Sequence, residues 1–187
     1  RMNIMIVGVG GQGTLLASRI LGKVAIKEGY DVKVSEVHGM SQRGGSVVTY
    51  VKYGDKVYSP IIDRGEADLI LAFEMLEAMR ALPYLKKGGT MIANTQKMNP
   101  MPVITGAMEY PENIEEKLSA KINLQAVDAL SLAEKAGTIK AVNVVLIGLL
   151  AKSMDVDKNV WIDVIKETVP EKFLDVNIKA FELGYEL

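Results

Sequence analysis

The residues best placed to do chemistry fall in two glycine-rich runs. The first is Gly8-Val9-Gly10-Gly11-Gln12-Gly13, whose glycines at 8, 10 and 13 fit G-x-G-x-x-G. Between a strand and a helix, that spacing has a physical logic. Gly8 permits a tight turn, Gly10 lets a ligand or another backbone come close, and Gly13 lets helix and strand pack together. The helix start behind the loop offers free N–H groups and partial positive charge to an anion such as a phosphate. The same turn also serves as a plain strand-to-helix connection with no ligand. Glu36 lies 23 residues beyond Gly13, where a dinucleotide-binding fold keeps the acid that holds a ribose.

The second run, His38-Gly39-Met40-Ser41-Gln42-Arg43-Gly44-Gly45, argues against a dinucleotide domain, which would continue from its second strand into a helix. Here glycines and polar side chains follow the strand, and another strand-like stretch begins after them. Such a segment belongs at the carboxyl end of the sheet, beside the first loop. Its glycines allow backbone N–H groups to face an anion, and Arg43 offers a planar fork of donors to a phosphate or carboxylate. Each residue also has a purely structural role open to it. Arg43 can pair with Glu36 and brace the loop. His38 can be a hydrogen-bonding histidine, since no cysteine or serine nucleophile is arranged beside it. Ser41 and Gln42 can close turns.

The elements that must carry these runs alternate strand and helix. Strands are expected at 3–7, 31–37, 68–73, 90–94 and 123–127, with a hairpin of 46–53 and 56–59 about Gly54-Asp55. Gly88-Gly89 reads as a turn into the 90–94 strand. Helices are expected at 14–28, 74–85, 113–120, 129–136, 157–168 and 171–184. In the first of these, Leu16, Ile20 and Val24 recur at i+4. The stretch 142–154 is apolar nearly all round, so it is a helix either buried in the core or facing a partner. Strands separated by helices imply an α/β fold, doubly wound and mainly parallel, with a Rossmann-like first βαβ and a small antiparallel hairpin edge. One domain is expected over 1–187.

Composition narrows the functions. The chain has 187 residues, 49% hydrophobic and 24% charged, with a formal net charge of -1. That balance gives no basic footprint for nucleic acid. There is no cysteine and one histidine, which rules out thiolate-held iron–sulfur clusters and Cys- or His-rich metal sites on this chain. No signal peptide and no membrane-spanning run is evident, so a cytoplasmic protein is expected.

The two runs together identify a family. A first strand leading into GVGGQG, followed by EVHGMSQRGG before a strand, resembles the gamma domain of pyruvate and other 2-oxoacid:ferredoxin oxidoreductases. The form HGMSQRGG is most similar to the beta subunit of the indolepyruvate branch, and Asn143 before the apolar helix fits as well. The resemblance implies that this chain is the small subunit of an enzyme converting a 2-oxoacid, coenzyme A and oxidised ferredoxin to acyl-CoA, carbon dioxide and reduced ferredoxin. Thiamine diphosphate, magnesium and the iron–sulfur clusters would lie on a large, cysteine-rich alpha subunit, and ferredoxin would meet this chain only indirectly. None of these cofactors would be bound by this chain alone, and no residue on it would be catalytic. By position, Gly8, Gly10, Gly11, Gln12 and Gly13 would form one half of a coenzyme A or interface site. Glu36, His38, Ser41, Gln42, Arg43, Gly44 and Gly45 would form the other. The alternatives are a gamma subunit for a different 2-oxoacid, or a stand-alone NAD(P)- or nucleotide-binding protein.

Overall fold

The computed structural model describes residues 1–38 and 44–187. In chain order the elements are β1 (Met2–Val9), α1 (Thr14–Lys27), β2 (Asp31–His38), β3 (Ser46–Gly54), β4 (Ala67–Ala72), α2 (Met75–Ala81), β5 (Leu85–Asn94), α3 (Met101–Ile104), α4 (Ile114–Ser119), β6 (Asn123–Val127), α5 (Ala129–Ala136), α6 (Val142–Lys152), α7 (Lys158–Thr168) and α8 (Leu174–Tyr185). The strands form one sheet in the order β2-β3-β1-β4-β5-β6.

Four of these strands are parallel neighbours: β1, β4, β5 and β6. Their period-two alternation sends side chains to both faces. Ile4, Ile6, Leu69 and Leu71 meet α1, α5, α6, α7 and α8 on one face. Met5, Val7 and Ile70 meet α2 and α4 on the other. The apolar stretch from 142 proves to be core: ten of the eleven residues of α6 are buried. Being covered all round explains why its hydrophobicity has no preferred side.

Two expectations are corrected. Strand β3 does not fold back on 56–59. It lies between β2 and β1, antiparallel to both, with Tyr53 opposite Val32 and Met2. With both edges taken, no ladder remains for 56–59. That segment is instead tied down by the Val57 N–H, which donates to Asp31 Oδ2 at 2.9 Å. The same bond holds the Asp31 carboxyl below its usual range. Gly88-Gly89 does not precede β5 but lies inside it. Gly88 has φ +81°, and the pairing with β4 shifts register between Ala67 and Leu69. The glycines therefore form a bulge.

The antiparallel insertion decides where the loops go. Strand β2 runs parallel to β1, so the carboxyl ends of both and the start of β3 share one edge of the sheet. The first β1–α1–β2 unit is present, but β3 separates its strands.

Candidate functional site

The two glycine runs meet at that edge. Gly8 and Val9 pair with Val47 and Ser46, and the Gly10 N–H carries the ladder one step further by donating to Gly45 O at 2.9 Å. Gly39, Met40, Ser41, Gln42 and Arg43 lie outside the described residues, so the expected roles of Ser41, Gln42 and Arg43 find no structural account here. Gly44 is exposed with φ +76°.

The first loop is braced from inside. Gln12 does not turn outward. Its Oε1 accepts from the Val9 N–H at 2.8 Å, and its Nε2 donates to Phe73 O at 3.1 Å. The side chain thus ties the loop to the ends of β1 and β4. Asn94, fully buried, donates to the same Phe73 carbonyl at 3.1 Å and accepts from the Ala129 N–H at 3.3 Å. Beyond Gly13, α1 has no side-chain cap and no acid in its first turn. Its leading N–H groups and the positive end of its dipole therefore have no side-chain acceptor from the cap position. That donor set fits an anionic group such as a phosphate of coenzyme A.

Glu36 and His38 are placed elsewhere. In register, Glu36 sits opposite Thr49, which sits opposite Ile6. It is therefore two strands from β1, roughly 9–10 Å by ordinary strand spacing. Its carboxylate pairs with His38 Nε2 at 3.2 Å. The geometry for holding the ribose of a dinucleotide on the first loop is not brought together.

Several residues that sequence reasoning did not select frame the same edge. Glu77, buried, accepts from Ser46 Oγ and Arg80 Nη1, both at 2.7 Å. This anchors the exit of the second run onto α2. Glu74, 1% exposed, caps α2 through the Glu77 N–H at 2.8 Å and accepts from the Met98 N–H at 3.0 Å. The Tyr110 hydroxyl donates to it at 2.5 Å. Burial first, and this bond second, raise the Tyr110 phenol far above its ordinary range. Together these contacts fix 96–110 beside the glycine loops. They enclose a cavity of about 420 Å³ lined by Val9, Gly45, Glu77, Arg80, Met98 and Ile104. A larger groove, about 770 Å³, lies beside β6 at the far end of the strand order. A pairing with a partner two strands away leaves no sequence pattern, so only the acid three residues into α2 hinted at a cap.

Comparison with known proteins places this architecture. The family model for pyruvate ferredoxin/flavodoxin oxidoreductase matches residues 3–187. The indolepyruvate oxidoreductase subunit IorB of Pyrococcus horikoshii is 47% identical over 97% of this chain and 93% of its own. The common gamma subunit of the pyruvate/ketoisovalerate oxidoreductases of Thermococcus kodakarensis is 29% identical over 95% of this chain and 92% of its own. Among solved structures, the keto/oxoacid ferredoxin oxidoreductase gamma subunit of Geobacter sulfurreducens has a TM-score of 0.74 and 25% identity, covering 100% of this chain and 97% of its own.

Proposed function

Since the chain belongs to the pyruvate ferredoxin/flavodoxin oxidoreductase family, we propose that it is the small subunit of an indolepyruvate:ferredoxin oxidoreductase, at work in the cytoplasm. The observation that carries this reading is the contrast in identity. Across nearly the whole chain, 47% of positions match an indolepyruvate oxidoreductase subunit, against 29% for a gamma subunit serving pyruvate and ketoisovalerate.

The donor sets support the division of labour that the family resemblance implies. With no cysteine, this chain supplies no thiolate to an iron–sulfur cluster. Among the described residues, no group of three His, Asp or Glu side chains converges on a metal site. Thiamine diphosphate, magnesium and the clusters are assigned to a large, cysteine-rich partner, which removes carbon dioxide from the 2-oxoacid and passes the electron pair to ferredoxin. The acyl group then goes to the thiol of coenzyme A. This chain's part is to present a preformed edge. Gly8 to Gly13 and the start of α1 offer backbone N–H groups to a coenzyme A phosphate or to the partner. From the second run, Gly45 meets the same edge at the start of β3, where its carbonyl accepts from the Gly10 N–H. Gly11 sits at the tip with nothing within 4 Å of its would-be Cβ, leaving room for an approaching group.

Anaerobic affinity purification of this chain from its native cells, followed by mass spectrometry, tests the reading. It expects a large thiamine-diphosphate-binding chain in a fixed ratio, and turnover of indolepyruvate by the pair but not by either chain alone. Recovery with a partner that prefers pyruvate would reassign the substrate. A chain recovered alone that binds NAD(P) saturably would defeat the proposal.

A further inference from the structure

We propose that Asn143 is the positioning residue of the first glycine loop, fastening the loop's exit to the start of α6 and so setting the aim of the α1 N-terminus. The inference rests on the reading of that loop as part of the coenzyme A and partner site.

The side chain is 5% exposed, and both of its polar ends are used. Nδ2 donates to Gly13 O at 3.2 Å, across 130 residues of sequence. Oδ1 accepts from the Val144 N–H at 2.9 Å. The Gly13 carbonyl is also the acceptor of the first bond of α1, from the Ala17 N–H at 3.3 Å. One amide therefore grips the peptide from which α1 departs. It also occupies the space a side chain at 13 would need: a Cβ there would fall 2.5 Å from Asn143 Nδ2. Gly13 has φ +84°, so the loop's exit is doubly specified, by a left-handed backbone and by the amide against it.

The rest of the loop is fixed from the other side. Gln12 secures it to β1 and β4, while Asn143 secures it to α6, a helix buried on nearly every side. Few side chains can replace Asn143. Aspartate keeps the acceptor for Val144 but turns a carboxylate toward the Gly13 carbonyl. Leucine fills the space but leaves the Val144 N–H unpaired and the Gly13 carbonyl with the Ala17 N–H alone. Asn143 touches no reacting group and acts only through Gly13.

The test uses the intact complex of this chain with its large subunit, assayed anaerobically by reduction of ferredoxin. Asn143→Ala is expected to raise the KM for coenzyme A about threefold to tenfold, the value of one buried hydrogen bond. The kcat and the KM for the 2-oxoacid should stay within about twofold. Asn143→Asp, which retains the bond to Val144 and so preserves α6, should move the same KM further in the same direction. Gly11→Asp, at the open loop tip, probes the loop directly. If Gly11→Asp raises the KM for coenzyme A while both Asn143 variants leave it unchanged, the role of Asn143 is overturned and the reading of the loop stands. If none of the three changes it, the loop is not part of that site and the inference falls with it. A uniform loss of kcat with every KM unchanged would also overturn it, because that is the signature of partial unfolding and not of a misaimed loop.

Discussion

Glycines occupy two regions of this protein for opposite reasons. In the core, Gly148 of α6 and Gly184 of α8 lie where two helix backbones touch. A Cβ on Gly148 would be 2.3 Å from Phe181 O, and one on Gly184 would be 2.1 Å from Val145 O. Both have ordinary helical dihedrals, so space alone demands glycine. At the sheet edge the pattern is reversed. Gly11 has φ +96°, and a Cβ on it would meet nothing within 4 Å beyond its chain neighbours, so its backbone angle demands glycine while the space around it is open. Gly13 stands between them, needing both. Crowded glycines are demanded by space and uncrowded ones by backbone angle, and only surroundings tell the two apart.

The strongest challenge to this contrast is Gly184→Ala. Alanine is the better helix former by about 1 kcal/mol, so any loss must come from the contact with α6. A destabilisation of about 3 kcal/mol or more is expected, because the clash is with backbone, which cannot rotate away. The unfolding midpoint in denaturant measures it. A variant as stable as the wild type would mean that the helices slide apart freely and that space is not the reason for glycine.

Gly13→Ala should cost less, about 2 kcal/mol, from a left-handed alanine and the Asn143 amide together. The two causes separate in a double-mutant cycle. In the Asn143→Ala background the amide is gone and only the backbone cost remains, so Gly13→Ala should be milder there by about 0.5–1 kcal/mol. Strict additivity would show that the amide does not press on this position.

The contrast also marks where the sequence is readable. The strands expected at 31–37 and 123–127 and the helices expected from 14, 129 and 157 were legible because period-two and i+4 patterns are local signals. The first loop was legible for the same reason: six consecutive residues carry it. What escaped is what depends on distant partners. The place of β3 between β2 and β1 is a choice among edges, and its residues read the same in a hairpin with 56–59. The brace from Gln12 to Phe73 O is hidden too, because nothing in the sequence says that the two lie side by side. Gly148 sits in the middle of an apolar helix and announces nothing, since the backbone it touches, from Phe181 to Tyr185, lies more than thirty residues further on. The seating of Ser46 on Glu77 and of Met98 on Glu74 is hidden in the same way.

The smallest effect on stability is expected from Gly11→Ala, and it is the most informative about the surface. With open space around it, the new methyl meets nothing, and only the positive φ is penalised, by about 1 kcal/mol. Gly11→Asn should cost less, because asparagine tolerates such angles better. Assembly with the proposed partner subunit is a separate readout. If the loop tip is a contact surface, even a methyl group there should weaken the complex out of proportion to its effect on the isolated fold, which titration of one subunit with the other would measure. Equal effects on stability and assembly would mean that the open space at Gly11 is simply solvent. The division between crowded scaffold glycines and glycines kept open for a partner would then hold for the first group only.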